Sequence, residues 1–280
     1  MEPWIVALVL ASALMHATWN AVVKSGGDRL LTLLAIKIPN MIVAAAAMLV
    51  FDFPSAASWP YLLGSTLAVT GYYFCLLRAY HENDFNVAYP VARGFAPVLV
   101  LLLVLVLTSE RITYGSATGV AVVSLGVCGL AYRSHMTQVD LNALLWAMSV
   151  GGFIAIYTVI DGLGARLSGD PIGYTAVLNV LAGVPVCVAA FSRHGVRAVR
   201  HLRHNFVTSA VGGTLMFAAY AIVVFALSRS PMAPVAALRE SSVIFGALIG
   251  GLIFREPVAV RRIFSACVVA AGIGILMFQR

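Results

Sequence analysis

Charged residues are scarce in this chain: of its 280 residues only 10% are Asp, Glu, Lys or Arg, against roughly a quarter in an ordinary globular domain. No polar stretch is long enough to fold as a soluble domain, the longest connection being RHGVRAVRHLRH at 193–204. That excludes a separate extramembrane activity and, despite a net charge of +7 and a pI near 9.5, a nucleic-acid-binding domain. Cysteine is limited to Cys75, Cys128, Cys187 and Cys267, all inside apolar runs. They lack the paired spacing of a zinc site or disulfide framework and read as small core residues. A glycine-rich phosphate loop is missing too, so direct ATP drive is not expected, and no cofactor is implied. The apolar residues 1–20 carry Glu2 where a signal peptide would be basic, so they are expected to form a first membrane span.

What fills the chain is hydrocarbon-compatible sequence: 61% hydrophobic residues and a mean hydropathy of +0.95. A bilayer core takes about 20 apolar helical residues. Runs of that length are expected at 4–24, 30–51, 58–80, 86–108, 112–132, 140–162, 171–192, 205–228, 232–254 and 260–279. The expected fold is an all-α polytopic membrane protein of ten transmembrane helices. Sliding 86–132 onto the second half sets Arg93 on Arg239, Glu110 on Glu256 and Gly126 on Gly272. Near the N-termini HATWNAVVK overlays IAIYTVIDG, with Trp19 on Tyr157. Two five-helix halves follow, 1–137 and 138–280. Five is odd, so the second half enters from the opposite side, an inverted repeat of the kind secondary transporters use around a midplane site.

At HATWN, YPVARG, YTVIDGLGAR and APVAALRESSVIFGALIGGLIFREP the chain resembles the drug/metabolite transporter superfamily, specifically its ten-helix EamA-like exporters. The resemblance runs the length of the chain. It implies a basket of ten helices around a central cavity, export of small metabolites or drugs, and no ATP-binding part. It does not single out a substrate, since the family spans amino acids, nucleotides, sugars and quaternary amines.

Lys37, Arg93, Arg239 and Glu240 fall well inside expected helices. An ionised group facing lipid costs several kcal/mol, so each is expected to face a cavity or a partner. Arg93 and Arg239 each lie seven residues into their spans, about 10 Å deep, and approach the midplane from opposite sides. Glu240 can neutralise one of them, which leaves an electropositive cavity suited to a carboxylate, phosphate, phosphonate or the anionic end of a zwitterion. The alternative is that the arginines bond carbonyls freed by helix breaks, or bridge Glu240 to the other half. In YPVARGFAP the prolines at 90 and 97 are expected to open the helix, so that Arg93 and loosened backbone face the solute.

His16, Trp19 and Asn20 share a face of the first helix. His16 can titrate in a proton-coupled cycle or simply bond a neighbouring helix. Tyr73, Tyr89, Tyr157 and Tyr220, with Tyr72, can line a cavity or anchor the chain at the interfaces. Glu110-Arg111 and Arg255-Glu256 occupy matching turns, as solvated pairs or as gate latches. Gly115-x-x-x-Gly119 and Gly246-x-x-x-Gly250 suit close helix packing.

Outside Lys37, Arg93 and Arg239, eleven Lys/Arg lie on odd-numbered connections and four on even connections and termini. The positive-inside rule then places the odd connections in the cytoplasm and both termini outside, whereas the resemblance implies cytoplasmic termini. The expectation is a non-ATP secondary exporter of a small polar or amphipathic metabolite with an anionic group, in the cell inner membrane, binding its substrate at Arg93, Arg239, Glu240, Lys37, His16, Trp19, Asn20, Tyr73, Tyr89, Tyr157 and Tyr220. Glu110 and Glu256 would gate it. The partners are the solute, the lipid bilayer and a coupling proton carried by Glu240 or His16, with room for a homodimer. The alternatives are a flippase of a lipid-linked anion and, from another class, an intramembrane enzyme or scaffold.

Overall fold

A computed structural model of the protein describes residues 1–23, 28–82, 85–130, 141–204, 206–252 and 260–278. Among them every regular element is helical. The helices are α1 (Pro3–Val23), α2 (Arg29–Ala47), α3 (Trp59–Glu82, after a 3-10 turn at Ala56–Ser58), α4 (Phe85–Leu107), α5 (Tyr114–Gly129) and α6 (Leu141–Leu167). They continue as α7 (Pro171–His194), α8 (Val196–His204), α9 (Phe206–Arg229), α10 (Met232–Arg239), α11 (Ser242–Leu252) and α12 (Val260–Met277). Eight helical segments are long and apolar enough to cross a membrane, and two shorter apolar helices lie at Tyr114–Gly129 and Arg262–Met277. The protein is an all-α polytopic membrane protein.

The helix ends follow from local chemistry. Asp28 caps α2 by accepting from Leu30 N at 3.0 Å and Leu31 N at 3.2 Å. Asp170 does the same for α7, accepting from Ile172 N at 2.8 Å, and Pro171 fills the first helical position, where its missing N–H costs nothing. Gly195, at φ 48°, ends α7 in a conformation that disfavours residues with a Cβ.

Three expectations change. The connection 193–204 contains α8, whose Ala198 and Leu202 pack against Leu30, Leu34 and Ala190, so its arginines lie on a short surface helix. The expected span 140–162 runs on to Leu167 as α6. The expected span 232–254 is two helices, broken at Glu240 and Ser241, while α4 passes uninterrupted through Pro90 and Pro97. Helix breakage therefore falls in the stretch that the sequence overlay set on YPVARGFAP, where two consecutive turn residues leave the α-helical ladder.

Helix α10 forms the centre of the molecule: each of its residues is buried, packed among α1, α4, α5 and α9. Outward faces carry Leu67, Val106 and Val207, apolar side chains whose burial is left to lipid. Glycine permits close approach of backbone to backbone between α5 and α12. A Cβ on Gly126 would stand 2.9 Å from Val269 N, and one on Gly272 would stand 2.8 Å from Val123 N. Gly119 belongs to the same seam, against Leu276, but Gly246 meets nothing within 4 Å. Gly119 thus packs towards Leu276 and Gly272 of α12.

Candidate solute cavity

A cavity of about 160 Å³ opens between α1, α2, α3, α6, α7, α9 and α10. Eight residues singled out from sequence line it: His16, Trp19 and Asn20 on α1, Lys37 on α2, Tyr73 on α3, Tyr157 on α6, Tyr220 on α9 and Arg239 on α10. Tyr72, also named from sequence, joins them, as do Asn179 and Arg29. Among the described residues, none that lines it is acidic.

One wall is aromatic. His16 meets Trp19 edge-on with ring centroids 5.1 Å apart. Tyr157 stands between Tyr72, at 5.9 Å, and Tyr220, at 6.2 Å, both edge-to-face. Such contacts fix ring orientation and leave polar atoms aimed inward. His16 Nε2 and Trp19 Nε1 have no hydrogen-bond partner among the described residues. Asn20, by contrast, donates its amide N–H to the His16 carbonyl at 2.8 Å. A buried donor without a partner is costly, and a polar ligand would satisfy it.

The cations divide into two kinds. Lys37 is 3% exposed and its Nζ lies over the Tyr73 ring at 5.2 Å, a cation–π contact that leaves its N–H donors to the cavity. Arg239 Nη2 donates to the Tyr157 hydroxyl at 3.4 Å. Arg93 behaves differently. Its Nε lies 2.8 Å from Glu240 Oε2 and its Nη2 donates to Ser242 Oγ at 2.9 Å. Neither Arg93 nor Glu240 lines the cavity. Because α10 ends at Arg239, the turn sends Arg239 into the cavity and Glu240 away from it, towards α4. Arg93 therefore ties α4 to the helix break. The side chain of Tyr89 and all of Glu256 lie outside the described residues.

One buried charge escaped the sequence reading. Asp161 on α6 is fully buried, accepts from the Tyr174 hydroxyl at 3.0 Å through Oδ1, and accepts from the Tyr220 hydroxyl through Oδ2. With the sixth span ending at 162, Asp161 counted as a span end. The apolar spacing that carries YTVIDGLGARL on to Leu167 is the signal that would have placed it inside.

Past Asp161, α6 carries Arg166 into a cluster of contacts. Glu110 Oε1 and Arg166 Nη2 form an ion pair at 2.5 Å, and Glu110 Oε2 accepts from Met232 N at 3.1 Å. Arg166 also donates to the carbonyls of Leu227 at 3.1 Å and Ser230 at 2.9 Å. Nearby, Ser55 bonds Leu167 and Ser168, and Asp170 accepts from Asp52 N. Glu110, on the connection between α4 and α5, thus engages Arg166 on α6, where the sequence suggested its neighbour Arg111. This latch lies at the far end of α2 from Arg29.

No family model matches the chain, and no curated protein matches it either. A solved crystal structure superposes on 97% of this chain and 94% of its own length with a TM-score of 0.74, at 15% sequence identity. A likeness at that identity shows that the two share a fold.

Proposed function

We propose that the protein is a secondary active transporter, an exporter in the cell inner membrane of a small polar or amphipathic metabolite carrying an anionic group. The carrying observation is the cavity itself: among the described residues it is lined by Lys37 and Arg239 and by no acidic side chain, and in this reading the Glu110–Arg166 pair latches its far end and leaves the Arg29 end as the mouth. Its volume of about 160 Å³ resembles that of an engineered cavity that holds benzene and falls below the roughly 300 Å³ of drug-sized pockets, which favours a solute the size of an amino or organic acid.

Ten spans in two inverted halves, 1–137 and 138–280, account for the packing. If α6, α7, α9, α10 with α11, and α12 are the counterparts of α1 to α5, most contacts come in matched sets. The pairing of α3 with α6 answers that of α9 with α1, α4 with α6 answers α11 with α1, and α2 with α7 and α5 with α12 answer themselves. The likeness of HATWN, YPVARG and APVAALRESSV to EamA-like exporters agrees with this architecture. Applied here, the positive-inside rule turns the open mouth, with Arg29 and α8, towards the cytoplasm, the side from which an exporter loads.

A thermal-shift screen of purified protein tests this function. Benzoate, glutamate, phenylphosphonate and choline serve as probes. A ligand at 100 times its Kd stabilises by about 2.7 kcal/mol. Stabilisation by the anions is expected; stabilisation by choline alone would overturn it.

One observation favours an amphiphilic or lipid-linked anion as substrate. A second groove of about 440 Å³ runs between α2, α3 and α7, shares Leu33, Tyr73 and Leu77 with the cavity, and carries Arg78 and Arg193. Thr70→Trp, which narrows that groove, should impair such a substrate and spare a water-soluble one.

A further inference from the structure

Between the cavity and the latch lies Asp161, a fully buried carboxylate that neither uses directly and that, among the described residues, no arginine pairs. The geometry points to Asp161 as the proton-binding site that couples the open and latched states, a site that the expected coupling candidates Glu240 and His16 do not supply. This rests on transport by alternating access as proposed above.

Three observations carry it. First, each oxygen of Asp161 accepts a tyrosine hydroxyl from a different helix, Tyr174 on α7 and Tyr220 on α9. A carboxylate can accept from both at full strength, whereas the protonated acid has one oxygen that must itself donate. One proton therefore changes what holds α6 to α7 and α9. Second, Asp161 communicates with the cavity through a side chain already in it: Tyr220 lines the cavity and packs edge-on against Tyr157, which accepts from Arg239. Third, Arg166 lies five residues further along α6, about 7.5 Å at 1.5 Å per residue, and grips the end of α9 at Leu227 and Ser230 as well as Glu110. The contact altered by the proton and the grip of Arg166 on Leu227 beside the latch thus join the same two helices, α6 and α9.

Other charges are unsuited to the task. Glu240 is held by Arg93 at 2.8 Å, a pair whose separation would leave a buried charge unmatched. Among the described residues His16 meets the Trp19 ring on its own helix and makes no hydrogen bond from its Nε2 to another helix, so its protonation breaks no such bond there. The titratable and charged groups that face Asp161 are Tyr174 on α7, Tyr220 on α9 and Arg239 on α10, with Ser65 the hydroxyl presented by α3. Tyr157 and Arg166 are the flanking groups on α6 itself.

In the cycle, one proton binds Asp161 in one access state and leaves from it in the other. Its uptake discharges the carboxylate, weakens the hold of Tyr220 on α6 and frees the end of α9 from Arg166. No bond beyond the O–H is made or broken.

Ser230 is buried beneath the latch, so a cysteine there reports its opening. In a background with the four native cysteines replaced, S230C is reacted with a membrane-impermeant maleimide from pH 5 to 8 in nanodiscs. Rates are divided by those of Y114C, which is exposed, to remove the intrinsic pH dependence of the thiol. The normalised rate is expected to change at least tenfold across this range in the parent, to be flat in D161N, and to show a displaced midpoint in Y220F. Y220F keeps the carboxylate, so it tests the idea even if D161N fails to fold. A pH response unchanged in D161N or in Y220F would overturn the assignment, as would a flat parent profile. E110Q separates the two ideas: fast labelling at every pH shows a latch that opens, whatever Asp161 does. If E110Q labels no faster than the parent, alternating access through this latch fails, and the coupling site falls with it.

Discussion

Replacing Arg93 by methionine removes the cation from a pair whose side chains are only 4% and 2% exposed and whose Nε–Oε2 distance is 2.8 Å. Glu240 would be left buried without its counter-charge, which typically costs 3–5 kcal/mol. At roughly 2–4 °C per kcal/mol for a chain of this size, the melting temperature should fall by about 6–20 °C. Glu240→Gln strands the guanidinium instead and should be costly for the same reason. Arg93→Met with Glu240→Gln discharges both, and the double variant should recover on the order of 2 kcal/mol relative to the sum of the singles, within the range of coupled neighbours. Equilibrium unfolding of all four proteins in mixed micelles measures the cycle. Additivity within about 0.5 kcal/mol would refute the claim that this pair braces the helix break, and would return Arg93 to the set of residues free to meet a solute.

The same structure makes further quantitative demands. Gly272→Leu or Gly126→Leu places a Cβ under 3 Å from backbone nitrogen across the α5–α12 seam and should cost at least about 1–3 kcal/mol. Gly246→Ala, with nothing within 4 Å, should be neutral or stabilise through helix propensity by up to about 1 kcal/mol; thermal unfolding in detergent compares them. Asp170→Ala removes the cap of α7 and the acceptor for Asp52 N, so a loss of about 1–2 kcal/mol is expected by the same assay. Lys37→Gln and Arg239→Gln should each weaken binding of an anionic ligand tenfold or more by calorimetry, since charge-assisted bonds contribute about 1.5–3 kcal/mol.

The all-helical membrane architecture was legible because twenty-residue apolar runs have few alternatives in lipid. Most of the cavity was legible for a related reason: charged and aromatic residues inside such runs, Lys37, Arg239, His16 and Tyr220 among them, need something other than lipid to face. What those residues face was not legible. Arg93 and Arg239 occupy matching registers, yet a single turn at Glu240 sends one into the cavity and ties the other to a carboxylate. Proline was a poor guide to helix breakage, since α4 absorbs Pro90 and Pro97 while α10 breaks at Glu240 and Ser241, which carry full backbone donors. Asp161 was overlooked through a helix boundary five residues too early. Glu110 was assigned to its sequence neighbour because its partner, Arg166, is brought to it only by the packing of α4 on α6.

Alternating access is tested most directly by counterflow. Proteoliposomes are loaded with an excess of an anion that stabilises the purified protein, then diluted into a trace of the same anion in radiolabelled form. A transporter should draw label inward to a transient level above its equilibrium distribution, and Arg239→Gln should abolish the overshoot. Uptake indistinguishable from that of protein-free vesicles, with binding intact, would show that the cavity binds an anion without carrying it across the membrane.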